Sequence, residues 1–380
     1  MLSHGFLFKF FSIIFIVFFL FFFVLYPVTS SPTHASDKLL PSKDRGLKEI
    51  IFLLVVSIII ILGGCETFAN GVEHVGNKAG LSHAAAGSLL AAVGTAMPET
   101  MIPILALVFG AGGHGEEIGI GAILGAPFML TTLAFFLLGI TVFILRFSGR
   151  RERAHLRPDL SAIRFELKYF IFVMILILGI SLLRNDKINY IGAVLFVLLY
   201  AIYFQITLKH KSQVQEEYSE LLYFNRFFKL KKNWTNIIFQ VLFGLGCIIF
   251  GAKVFVNNIA LLSEAIGMSA LVLSLIIAPV ATELPEKYNS ITWTIRGKDT
   301  LAFTNITGAM TFQSMIPVSI GLLFTSWELH FTEIINISFA LVSAILVFLT
   351  IRRKDSLPAL ILLVGGILYS LYIFRIFSII

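Results

Sequence analysis

Charge is what this chain has least of. Only 13% of its 380 residues are Asp, Glu, Lys or Arg, while 57% are hydrophobic and the mean hydropathy is +0.91. So small a polar fraction excludes a water-soluble enzyme or binding domain and implies an all-α polytopic membrane protein. Cysteine is nearly absent as well. Cys65 and Cys247 both fall inside apolar runs, so a disulfide framework is not indicated and neither reads as a metal ligand. No nucleophile with a partnering base and no His-rich metal motif accompanies the carboxylates, so a membrane hydrolase is not indicated. Long polar segments are also missing, because the one sizeable example, 209–233, is too short for a domain. The formal charge of +7 does not point to nucleic acid, since the basic residues cluster in short loops where membrane topology explains them.

What is present is a series of apolar runs long enough to cross about 30 Å of hydrocarbon. They lie at 48–70, 81–109, 118–145, 162–183, 188–208, 234–262, 269–295, 299–325, 329–351 and 356–379, which predicts ten core helices, five per half. Residues 6–28 form a further Phe-rich run followed by Thr29–Ser36, and residues 1–35 read either as a signal peptide cut after Ala35 or as an extra transmembrane helix. Arg146, Arg150, Arg151, Arg153 and Arg157 follow the third run, Lys209, Lys211, Arg226 and Lys229–Lys232 the fifth, and Arg352, Arg353 and Lys354 the ninth. The stretches Gly110–Glu117, Asn258–Gly267 and Ser326–Glu333 carry no Lys or Arg, and only Arg184 and Lys187 interrupt the pattern. Cytoplasmic loops are the basic ones, so both ends of the ten-helix core are expected outside. The second half then lies inverted relative to the first. The expected division is 36–208 for the first half, 209–233 for a basic cytoplasmic loop and 234–380 for the second half.

The halves are copies. At a constant offset of 187 residues, Gly64 meets Gly251, Phe68 Phe255, Asn70 Asn257, Gly80 Gly267, Ser82 Ser269, Thr95 Thr282, Pro98 Pro285 and Glu99 Glu286. The repeats cover about 64–130 and 251–317. Near the middle of each stands the same polar phrase, Gly94-Thr95-Ala96-Met97-Pro98-Glu99 and Ala281-Thr282-Glu283-Leu284-Pro285-Glu286. A carboxylate inside the membrane is costly, and a matched pair marks a functional site. Proline lacks an N–H and breaks a helix unless it lies in the first turn. Breaks before Pro98 and Pro285 would free carbonyls near Ala92–Thr95 and Pro279–Thr282 and let Glu99 and Glu286 open new half-helices. Carbonyls, threonine hydroxyls and carboxylates are the hard oxygen ligands of Na⁺ and Ca²⁺. The competing reading is a pair of proline kinks whose glutamates join helices.

The two phrases, with Gly121-Ala122-Ile123-Leu124-Gly125 in the third run and Asn305-Ile306-Thr307-Gly308 in the eighth, resemble the α-repeats of the cation/calcium exchanger superfamily, the Na⁺/Ca²⁺ exchangers in particular. The resemblance spans residues 48–379. It implies a secondary active antiporter of a bacterial plasma membrane, with Ca²⁺ and Na⁺ (or H⁺) as transported ligands and no cofactor. It further implies a midplane site in which Glu99 and Glu286 hold Ca²⁺, flanked by Thr95, Thr282 and backbone oxygens near Ala92 and Pro279, and a sliding pair of helices at 48–70 and 234–262. This chain departs from that pattern. Ala96 and Glu283 stand where serine is usual, Ala126, Pro127 and Leu130 replace side-chain oxygens in the third run, Ala309 replaces a serine in the eighth, and Gln313 replaces an Asp or Asn. The losses leave two rivals to Na⁺/Ca²⁺ exchange, namely H⁺-coupled exchange of a divalent cation and a non-transporting sensor or scaffold. Glu283 has two readings. As a ligand it brings a third carboxylate to the site; as a partner of Lys287, four positions on, it leaves Glu99 and Glu286 alone at net −2. Pairing is the expectation.

Overall fold

With no water in the bilayer core, backbone polar groups must be satisfied within the chain, and long apolar runs form helices. The computed structural model describes residues 46–78, 97–110, 113–210, 222–228, 233–353 and 356–379, and Leu47–Ile380 forms one compact unit. The expectations for 1–35, Ala92 and Thr95 lie outside the described residues. The helices are α1 Leu47–Lys78, α2 Met97–Phe109, α3 Gly115–Met129, α4 Phe135–Phe147, α5 Leu160–Leu183, α6 Asp186–His210 and α7 Tyr223–Phe228, followed by α8 Trp234–Ile266, α9 Ala270–Thr282, α10 Leu284–Ile295, α11 Asp299–Gln313, α12 Ile316–Phe324, α13 Phe331–Arg353 and α14 Ala359–Ile379.

The protein is an all-α, multi-pass membrane protein. Among the described residues, eight helices are long and apolar enough to cross a membrane, and two shorter apolar ones, Glu99–Val108 and Ala270–Val280, stand where the second and seventh spans were expected. Proline accounts for the interruptions. The seventh run is divided at Glu283, with Pro285 in the first turn of α10, and the eighth is divided after Gln313, with Pro317 in the first turn of α12. In the third run Pro127 is followed by a π-helical turn, Leu130–Ala134, that joins α3 to α4. The polar groups around that turn are met by side chains. Thr131 Oγ1 donates to Pro127 O at 2.8 Å, Thr132 Oγ1 to Phe128 O at 2.6 Å, and Ser343 Oγ of α13 to Thr131 O at 2.6 Å.

Small residues set the close helix crossings. A Cβ at Gly64 of α1 would stand 2.9 Å from the Cβ of Cys247, and one at Gly244 of α8 would stand 2.7 Å from Phe68 N, so α1 and α8 run antiparallel in backbone contact. Likewise a Cβ at Gly121 or Gly125 of α3 would approach the carbonyls of Leu271 or Leu275 of α9 within 2.3 and 2.2 Å. The glycines that mark the third run thus seat it on the first half of the broken seventh.

Loops join at the two ends as their charges require. Glu116 Oε1 accepts 2.6 Å hydrogen bonds from the backbone N–H and hydroxyl of Ser326, which unites two of the three lysine- and arginine-free stretches. Arg151 clasps Asp299 with both guanidinium arms and reaches Thr294 O at 2.8 Å, and His155–Leu156 pairs antiparallel with Leu357–Pro358. The loops after the third, seventh and ninth runs therefore meet at one end. The segment expected as a plain connection contains α7, which docks on the α1–α8 pair. Tyr223 N–H donates to Asn70 Oδ1 at 3.1 Å, Tyr223 OH to Glu66 Oε1 at 2.9 Å, and Phe224 N–H to Gln240 Oε1 at 2.9 Å, while Gln240 Nε2 bridges to Asn70 Oδ1 at 2.8 Å.

The orientation expected from the loop charges predicts that a cysteine placed at exposed Glu328 is labelled by an impermeant maleimide added to intact cells, and that one placed at exposed Arg153 is labelled only after permeabilisation, in a background with Cys65 and Cys247 replaced. Labelling of both from outside contradicts the orientation.

Candidate cation site

Glu283 occupies the break between α9 and α10, with φ −91° and ψ 10°. The break makes Glu286 a first-turn residue of α10, and Glu99 stands in the first described turn of α2. An N-terminal turn offers unpaired N–H groups and a partial positive charge, both favourable to a carboxylate. The two glutamates are 4% and 3% exposed. No other described residue hydrogen-bonds either oxygen of Glu99 or Oε2 of Glu286. The charges of Glu286, Glu283 and Lys287 all act on Glu99, so the four groups share one neighbourhood. Asn305 of α11 fixes the α10 end of it, donating through Nδ2 to Glu286 O and to Ser290 Oγ, each at 3.0 Å.

Glu283 and Lys287 pair at 3.1 Å across one helical turn, 0% and 5% exposed. The ammonium makes two further contacts, to Pro279 O at 3.3 Å and to Met129 Sδ of α3 at 3.1 Å. Pro279 O also accepts from Glu283 N–H. Three carboxylates and one ammonium leave the cluster at net −2, the charge that one divalent cation cancels. Like charges crowded in a low-dielectric interior repel strongly, and a bound cation removes that cost.

Thr282 is buried beside Ile58, Ile61 and Leu62 of α1 and Ile102 of α2, and its hydroxyl donates back to Ala278 O at 3.1 Å. Gln313 sits at the break after α11, 2% exposed, with Oε1 free of hydrogen bonds to described residues. Among the described residues no three His, Cys, Asp or Glu side chains are grouped to hold a metal.

Three features escaped the sequence reading. Met129 touches the ammonium from the helix whose side-chain oxygens are missing. Cys65 of α1 lies within electrostatic reach of both Glu99 and Glu286. Glu166 of α5 is a further buried carboxylate, 3% exposed, which accepts from Thr307 and, at 3.4 Å, from Tyr203 OH. Its position inside the run 162–183 was the available signal.

The model of the sodium/calcium exchanger protein family matches residues 49–209 and 236–380. CaxA of Alkalimonas amylolytica, which bears the name of an antiporter, is 22% identical over 338 residues, 85% of this chain and 98% of its own. Among solved structures, a H⁺/Ca²⁺ exchanger, CAX, superposes with a TM-score of 0.65 at 15% identity over 86% of this chain and 82% of that one. A sodium-calcium exchanger, NCX_Mj, superposes with a TM-score of 0.52 at 18% identity over 86% and 99%. At such identities the two structures show the fold alone. The family match covers most of the chain, and with the membrane fold it makes this protein a member of the sodium/calcium exchanger family, a multi-pass membrane antiporter of cations.

Proposed function

We propose that the protein exchanges Ca²⁺ for Na⁺ across a bacterial plasma membrane by alternating access, with Glu99 and Glu286 as the carboxylate ligands. The observation that carries this reading is the pair of buried glutamates, Glu99 and Glu286, with both carboxylate oxygens of the first and Oε2 of the second hydrogen-bonded to no other described residue. Thr282, the α9 carbonyls and, from the first repeat, Thr95 and the carbonyl of Ala92 complete the oxygen set, with Gln313 at its edge. Glu283 is held by Lys287 and acts on the site's charge. α1 and α8 slide as one unit across the rest, and 36–208 and 234–380 are the two inverted halves, joined on the cytoplasmic side.

Coupling to H⁺ is the second reading. It is favoured by the Lys287 ammonium on Pro279 O, a carbonyl that already accepts from Glu283 N–H and so has no further lone pair to offer a Na⁺. Proteoliposomes separate the two. An outward Na⁺ gradient drives ⁴⁵Ca²⁺ uptake that disappears when choline replaces Na⁺, with no dependence on a pH gradient. Uptake that follows the pH gradient in the absence of Na⁺ establishes the second reading instead.

A further inference from the structure

The Lys287 side chain does more than neutralise Glu283. Its ammonium lies 3.1 Å from Glu283 Oε2 and 3.3 Å from Pro279 O. One anionic and one neutral oxygen, at the break between two half-helices, make an environment that suits a small monovalent cation. The third contact is the thioether of Met129. It comes from α3, and Ala126 and Pro127 of that helix and Leu130 of the turn after it supply no side-chain oxygen, so the oxygen shell is thin on the side from which the ammonium is capped. Charge points the same way. Without Lys287 the cluster holds three carboxylates at net −3, which a divalent ion cannot cancel without a monovalent companion. Unlike a diffusible ion, this charge is tethered by its side chain to the first turn of α10 and cannot leave with the cargo.

We propose that the Lys287 ammonium is a built-in monovalent cation, filling a subsite between Pro279 O and the Glu283 carboxylate that a Na⁺ would otherwise occupy, so that the exchanger binds one Na⁺ fewer. This deepens the function proposed above and rests on it for its consequence in coupling, although the subsite itself is independent of Ca²⁺. The alternative is a purely structural ion pair, which leaves no cation site when the lysine is shortened.

The test counts bound Na⁺. Equilibrium ²²Na⁺ binding is measured on purified protein in a Glu99→Gln, Glu286→Gln background, which neutralises the central site, with and without Lys287→Ala. The expected result is one additional Na⁺ per chain in Lys287→Ala, and none in Glu283→Ser, Lys287→Ala, where the carboxylate is gone as well. No additional Na⁺ in Lys287→Ala, or an additional Na⁺ that persists in the double substitution, overturns the proposal. Should Lys287→Ala aggregate in choline, purification in Na⁺ becomes the readout. Recovery of folded protein in Na⁺ supports the subsite and aggregation in both salts overturns it. Loss of the Ca²⁺ reading is seen separately, as failure of the unaltered protein to bind ⁴⁵Ca²⁺, and leaves the Na⁺ count intact.

Discussion

Glu99→Gln and Glu286→Gln each abolish cation-driven transport while the protein still inserts and migrates as a folded species. Glutamine keeps the size and one oxygen of the side chain but removes the charge, and among the described residues neither oxygen of Glu99 nor Oε2 of Glu286 has a hydrogen-bond partner in another residue. Taking one partner from a buried, charge-paired arrangement costs about 3–5 kcal/mol. At about 1.4 kcal/mol per factor of ten, affinity for a divalent ion falls roughly a hundredfold to several thousandfold. Initial rates of ⁴⁵Ca²⁺ uptake check this, with size-exclusion profiles confirming the fold. Wild-type rates in both variants place the cation elsewhere.

Lys287→Met is expected to destabilise the protein by about 3–5 kcal/mol, because it strands a Glu283 carboxylate that is 0% exposed. Methionine fills most of the volume of the lysine stem, so the loss is one of charge rather than of packing. The double substitution Glu283→Ser, Lys287→Met removes both partners and returns stability to within about 1 kcal/mol of the starting protein, since residues in direct contact are non-additive. Thermal unfolding in detergent for the two singles and the double measures the coupling. Equal and additive losses would show that the pair contributes nothing beyond its separate side chains.

Much of this was legible in the sequence because membrane proteins write their fold in simple terms. Eight of the ten expected spans followed from uninterrupted apolar length, and the shared ends of the loops from Lys and Arg counts that the Glu116–Ser326 and Arg151–Asp299 contacts match. Pro285 announced the break at Glu283, and the spacing of Glu283 and Lys287 announced their pair. The interruptions that the sequence reading passed over lie in the third and eighth runs. Pro127 and Pro317 stand in stretches so apolar that hydropathy reads straight through them. Contacts between distant elements were also hidden. Nothing in local sequence brings Met129 to the lysine ammonium or Tyr223 to Glu66, because such meetings depend on how closely glycine lets helices approach.

Direct ⁴⁵Ca²⁺ binding to the purified protein at equilibrium tests the carboxylate site most plainly, since it requires neither a gradient nor an assumption about the coupling ion. The account predicts one Ca²⁺ per chain, lost in Glu99→Gln and in Glu286→Gln and retained in Glu166→Gln, whose buried carboxylate already has hydroxyl donors. Binding that survives both Glu99→Gln and Glu286→Gln, or that disappears equally in Glu166→Gln, would contradict it.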